Sequence, residues 1–204
     1  MFVSIHRCYD SHLHLLATGE VSSGLDLSNL KSLNSLARLK PLRHHFRGEW
    51  LYAFGWDQFQ FLDGELPTRE QLDLHFSEYP VCFVRKDGHA VWINTKAYNI
   101  ANAHAKLDPN LGVYIDSAMS KIMRLIPEVT VGQKKHYLRE GIRILNQAGF
   151  THVRDMSCDE TQWNLLSELD QKGELTLYVD NNLSFENVDG FLKLLTFAKQ
   201  AEKN

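Results

Sequence analysis

Leucines at 27, 30, 33, 36 and 39 recur every third residue within Leu25–Lys40. That spacing keeps them near one face and predicts a helix ending at about Pro41. Trp50–Gly55, W-L-Y-A-F-G, is a short aromatic and apolar run that predicts a buried strand. Thr68 is placed to cap a short helix, R-E-Q-L-D-L-H-F, that stops before Pro80. In V-C-F-V-R-K-D-G-H-A-V-W-I-N, from Val81 to Asn94, two β-rich runs flank an Asp-Gly turn and predict a hairpin. Thr95–Ala105 reads as helix and Leu107–Asp116 as an irregular connection. A long helix follows, capped by Thr130 and closed by Gly149. Then come a strand at Thr151–Met156, a helix at Asp159–Lys172 stopped by Gly173, a strand in L-T-L-Y-V-D-N-N, and a last helix from Phe185. The opening V-S-I-H-R-C-Y-D reads as a short strand running into His12. Alternating helix and strand from residue 130 onward predicts parallel βα units.

Composition narrows the class. The chain has 204 residues, 44% hydrophobic and 23% charged, which suits a globular domain with a real core. The net charge is -3 and the basic residues are scattered, which argues against nucleic acid as a partner. No apolar run is long enough to span a bilayer, and the N-terminus lacks the apolar core of a signal peptide. Three widely spaced cysteines fit free thiols in a reducing compartment, with the cytoplasm as the default.

Ten histidines direct attention to C-Y-D-S-H-L-H-L, Cys8–Leu15. His12 and His14 are two apart, so on a strand both imidazoles point to one face, where they can share a zinc ion at about 2.0–2.1 Å. Asp10 could hold a histidine tautomer or lie just beneath the metal. An H-x-H pair also occurs by chance. The stretch resembles the first-strand signature of the amidohydrolase superfamily. It also resembles the openings of TatD-type deoxyribonucleases and of polymerase-and-histidinol-phosphatase-type phosphoesterases.

A second segment separates these. R-K-D-G-H-A-V-W-I-N-T-K-A, Arg85–Ala97, resembles the R-x-D-G-H-x-x-W-x-N-[ST]-x-A segment of amidohydrolase family 3, the YtcJ-like metal-dependent hydrolases. G-W-D at 55–57, L-P-T-R-E-Q-L-D at 66–73, G-V-Y-I-D-S-A-M at 112–119 and A-G-F-T-H-V-R-D at 148–155 follow in the family's order. The resemblance implies an α/β fold: a partial (β/α)8 TIM barrel, the front half, with about four parallel strands at Val3–Tyr9, Trp50–Gly55, Thr151–Met156 and Leu175–Asp180. The expectation is a single partial domain over 1–204 with a β-hairpin and helix insert at about 62–128; the small β-sandwich that accompanies the family's barrel is not found in the sequence, so no N-terminal β-sandwich is expected. The resemblance implies a divalent metal, by ligand type zinc, held by His12 and His14, and hydrolysis of C–N bonds in small amide-type substrates by a metal-activated water. Asp87, His89, Trp92 and Asn94 match a substrate-binding segment. Asp155 and Asp10 are second-sphere candidates. The plainer reading of the same segment is a tight turn at Asp87-Gly88, Trp92 filling a core, and Asn94 or Thr95 capping the next helix.

A TIM barrel takes about 250 residues and eight strands. After residue 180 there is no histidine and no H-x-G-D or D-x-P pattern, so the family's later ligands and its general-base aspartate are not found. The expectation is the front half of such an enzyme. It would be a truncated frame, a subunit that pairs with a complementing C-terminal half, or a chain that closes a barrel with a second copy of itself. The contrasting expectation is a non-catalytic remnant that serves as an interaction module.

Overall fold

The computed structural model describes residues 8–61 and 66–184, with isolated positions 190, 193 and 196 beyond them. Most of the expected opening strand and of the last helix lies outside the described residues. In chain order the elements are β1 (Cys8–Leu13), α1 (Leu15–Ser23), β2 (Leu25–Asp26), β3 (Phe46–Arg47), β4 (Trp50–Trp56), α2 (Arg69–Phe76), β5 (Val81–Arg85), β6 (Ala90–Ile93), α3 (Thr95–His104), β7 (Val113–Ile115), α4 (Asp116–Met123), α5 (Val131–Gln147), β8 (Phe150–Cys158), α6 (Glu160–Gln171) and β9 (Tyr178–Leu183). They form two compact units, one of Met1–Ser22 with Thr130–Asn204, the other of Ser23–Val129.

The first unit is built on a parallel three-stranded sheet in the order β1-β8-β9. Helix termini follow the local chemistry of the sequence. Thr130 Oγ1 accepts from the Gln133 amide at 3.2 Å, and Gln133 Oε1 accepts from the Thr130 amide at 3.0 Å. Asp159 Oδ1 accepts from the Gln162 amide at 2.6 Å and caps α6. Gly149 and Gly173 leave these helices at φ of 87° and 69°, where a side chain would be strained. Leu138 and Ile142 of α5 and Leu165 and Leu169 of α6 pack with Val153 of β8 and with Leu13 and Leu15. Helix α1 lies close against α5 where Gly19 and Gly141 meet: a Cβ on Gly19 would sit 1.7 Å from the Tyr137 carbonyl oxygen.

The second unit holds a mixed sheet in the order β2-β4-β5-β6-β7, with β3 antiparallel to β4. Strands β2, β4 and β5 are parallel, and β5, β6 and β7 form an antiparallel meander. The expected hairpin is β5-β6, turning at Gly88 with φ of 75°. Its core is aromatic. Trp92 lies 5.9 Å from Trp56 and 6.1 Å from Phe83, ring centre to ring centre, each pair edge to face. The two indole N–H groups donate to carbonyls, Trp56 to Phe83 at 2.8 Å and Trp92 to Thr68 at 2.7 Å. The expected inserted segment at about 62–128 lies within this unit, which also takes in residues 23–61.

Three expectations change. Trp50–Gly55 is a buried strand, but it belongs to the mixed sheet rather than to the parallel set with β1, β8 and β9. Leu25–Lys40 is not an α-helix; it begins as β2 and ends in a 3-10 helix at Leu33–Arg38. A strict spacing of three suits three residues per turn better than 3.6. Asp26 also diverts the backbone, its carboxylate accepting from the amide and hydroxyl of Ser28 and from Asn29. Finally, the Leu107–Asp116 connection contains β7.

All three cysteines are free, with Cys82 and Cys158 buried. Burial pushes both thiols up to about 12, helped at Cys158 by the carboxylates of Asp155 and Asp159. Thiolate is the reactive form. At pH 8 Cys82 and Cys158 should therefore resist Ellman's reagent until denaturant is added; rapid labelling of either in the folded protein would contradict their burial.

Candidate metal centre

Alternation carries the histidine pair to one side. Leu13 and Leu15 are buried while His12 and His14 are exposed. The register of β1 on β8 slips between Asp10 and Leu13, where three steps along β1 match two along β8. Pairing resumes at Leu13, the last residue of β1, so His12 lies in the irregular stretch and His14 just past the strand's C-terminal end. The two imidazole centres are 5.9 Å apart, with planes at 82°. Two imidazoles sharing one ion at about 2.0–2.1 Å would have centres about 5 Å apart, somewhat closer than here.

Among the described residues, the hydrogen bonds of the two expected second-sphere carboxylates go to amides and not to an imidazole nitrogen. Asp10 Oδ1 accepts from the His12 amide at 3.0 Å. Asp155 is fully buried. It accepts from the amides of Leu15 at 3.3 Å and Ser157 at 3.0 Å, and from the Gln162 side-chain amide. The group that meets an imidazole is the Ser157 hydroxyl, 2.8 Å from His14 Nδ1. Sequence reading passed over it because the partners are 143 positions apart. Among the described residues no group of three or more His, Cys, Asp or Glu side chains could hold a metal. The pair fits a metal as two of the three protein ligands that a catalytic zinc usually has. Beside it an open groove of about 540 Å³ is lined by His14, Leu13, Ala17, Val21 and Ile144, largely apolar.

Asp87, His89, Trp92 and Asn94 all belong to the second unit. Trp92 and Asn94 are fully buried. Asn94 Oδ1 accepts from the Val81 and Ala97 amides, both at 3.0 Å, and its amide donates to the carbonyls of Phe76 at 2.9 Å and Tyr79 at 3.0 Å. Both residues therefore work inside the fold, one filling the aromatic core and one capping α3 while tying it to β5. Asp87 and His89 stay at the surface on the turn. Asp87 takes a bidentate pair from Arg85, 2.8 Å on each side, and the His89 amide at 3.0 Å. With Phe59, which is 88% exposed, Asp87 lines an open hollow of about 340 Å³.

The Arg85 guanidinium, and after it the His89 amide, hold the Asp87 carboxyl at about 2. A depressed carboxylate pKa contributes stability above the ordinary range, near 3.8, that is lost as pH falls through about 2. The pair is exposed, so the contribution is small. The carboxyl carbon of Asp87 should titrate in NMR with a midpoint near 2 and move toward 3.8 in Arg85→Gln; a wild-type midpoint near 3.8 would show that the ion pair does not persist in solution.

A parallel βα sheet with two imidazoles near the C-terminal end of its first strand can offer two nitrogen ligands to one metal ion. The chain belongs to the amidohydrolase family, whose model matches residues 9–200. It is 31% identical over 148 residues to "Putative amidohydrolase YtcJ" of Bacillus subtilis (strain 168), a match covering 65% of this chain and 27% of that protein. It is 24% identical over 175 residues to Protein LONG AFTER FAR-RED 3 of Arabidopsis thaliana, covering 76% and 30%. Two solved structures described as uncharacterized metal-dependent hydrolases are similar. One, from Pyrococcus furiosus, has TM-score 0.65 and 32% identity over 91% of this chain and 39% of its own. The other, from Pyrococcus horikoshii OT3, has TM-score 0.64 and 28% identity over 86% and 36%. The chain thus spans about a third of the length of these relatives.

Proposed function

We propose that this chain is the front part of a metal-dependent amidohydrolase that cleaves C–N bonds in small amide-type molecules. The observation that carries this reading is the exposed His12–His14 pair at the end of β1, in a chain of the amidohydrolase family. The three parallel strands would be the opening of a (β/α)8 barrel. His12 and His14 would hold one divalent ion, zinc by ligand type. When bound, such an ion supplies a water acidic enough to attack at neutral pH and polarises the carbonyl. The chain's own residues would orient His14 through Asp155 and Ser157, and the apolar groove beside His14 would take the hydrocarbon part of a substrate. The exposed Asp87–His89 turn, with Phe59, is the better candidate for substrate contact in the second unit. The third ligand and the general base would come from a complementing back-half segment or a second copy. Free thiols suit a reducing, cytoplasmic setting.

Calorimetric zinc titration tests this. Wild-type chain should bind zinc, weakly for a two-ligand site, and His12→Ala and His14→Ala should each lose at least tenfold in affinity. Equal affinity in all three proteins would remove the reading. The absence of a third ligand among the described residues favours a second reading, a non-catalytic partner-binding remnant. That reading would be preferred if the wild-type chain bound no zinc.

A further inference from the structure

We propose that the outer edge of β9 is a self-association surface, where a second copy of the chain adds its own β9 antiparallel and joins two three-stranded sheets into one of six strands. Among the described residues β9 pairs with β8 alone and ends its sheet. An edge strand leaves a row of backbone N–H and C=O groups unpaired, and proline, lysine or a bulge commonly blunts it. Tyr178–Leu183, Y-V-D-N-N-L, has neither proline nor lysine, and no residue in it is buried. Nor does it carry a bulge. The slip between β8 and β9 falls on β8, where Asp155 to Cys158 is three steps against two from Asn181 to Leu183. The opposite edge differs, because there the extra residue lies in β1 itself, between Asp10 and Leu13.

The sequence of β9 selects one register. Val179 packs on the core beneath the helices, while Asp180 and Asn182 meet Arg154 and Met156 on the other face. With both sets of helices on one side of the joined sheet, a two-fold axis places some residue opposite its own copy. Asp180 in that place would set two carboxylates together. Asn181 in that place sets Val179 against the partner's Leu183 and Asp180 against the partner's Asn182. Asn181 also lacks a partner of its own. Its Oδ1 is buried with no hydrogen bond among the described residues, and its amide makes only a 3.5 Å contact with the Val179 carbonyl. A buried acceptor left unpaired is costly, and two facing asparagines can donate to each other. Five strand spacings of about 4.8 Å would separate the two β1 strands by about 24 Å, so a copy joined here does not supply the other's third metal ligand. The proposal is therefore independent of the metal reading.

Sedimentation equilibrium of the metal-free full chain tests it, apart from any zinc result. The chain should show a monomer–dimer equilibrium. Asn182→Asp, which faces Asp180 at two symmetric places, should weaken the dimer roughly tenfold, and Asn182→Lys should tighten it severalfold. A tighter dimer is a result that a merely damaged monomer does not give. Register is read by mild oxidation in a Cys8→Ser background, since Cys8 is the one cysteine of the three that is not buried. Asn181→Cys should form a disulfide with its own copy. Leu183→Cys, about 14 Å from its copy along the strand, should not do so alone but should crosslink to Val179→Cys when the two are mixed. A chain that stays monomeric, a dimer that both Asn182 variants shift the same way, or a dimer in which Asn181→Cys fails to crosslink overturns the proposal.

Discussion

Gly19→Ala is expected to destabilise the first unit by about 2 kcal/mol or more, read as a lower urea midpoint. Two effects oppose each other. Alanine raises helix propensity by about 1 kcal/mol over glycine. Its Cβ, however, would lie 1.7 Å from the Tyr137 carbonyl oxygen and 2.9 Å from the Gly141 amide nitrogen. These are backbone atoms of α5 and cannot swing aside, so α1 has to shift, and overpacking of this kind costs about 3 kcal/mol or more. Gly141 makes the reciprocal approach, its Cβ position 2.7 Å from the Leu15 carbonyl oxygen. Because α1 starts directly after His14, the displacement should also weaken zinc binding in whatever fraction stays folded. An unchanged midpoint would mean that the two helices do not cross this closely in solution.

Asn94→Ala should be at least as damaging, but to the second unit. It strips four backbone groups of their partner, three buried and one part-buried: two amides, at Val81 and Ala97, and two carbonyls, at Phe76 and Tyr79. An orphaned buried polar group costs about 1–3 kcal/mol, and partial relaxation makes the four less than additive. A total loss of about 4 kcal/mol is a large part of the roughly 5–15 kcal/mol that holds a typical protein folded. Asn94→Asp keeps the cap oxygen but loses the amide donor, so it should fall between alanine and wild type. If Asn94 contacted substrate instead, the alanine variant would keep its unfolding midpoint and lose only binding.

Local chemistry was legible in the sequence wherever a residue acts on its near neighbours. Thr130, Asp159, Gly149 and Gly173 mark helix ends by capping or by left-handed backbone, and the Asp-Gly turn marks the β5-β6 hairpin. The H-x-H alternation also carried through, because Leu13 and Leu15 must be buried together. Sheet membership was not legible. Trp50–Trp56 is an apolar strand that would read the same in a parallel barrel or in a mixed sheet. The leucine run misleads because a spacing of three keeps to one face of an α-helix only roughly and suits 3.0 residues per turn better than 3.6, and Asp26 diverts the backbone through its own side chain. Within the Asp87–Asn94 segment, residue type could not say which members face solvent; Trp92 and Asn94 turned inward while Asp87 and His89 stayed out. Ser157 gave no signal because its partner lies on a distant strand.

X-ray absorption at the zinc edge of the zinc-loaded chain tests the His12–His14 site most directly. Two imidazole nitrogens are expected at about 2.0–2.1 Å, with the remaining positions filled by oxygen. The imidazole signal should disappear in the His12→Ala/His14→Ala double variant. A sulfur shell at about 2.3 Å, or an imidazole signal that survives the double substitution, would contradict a site on His12 and His14.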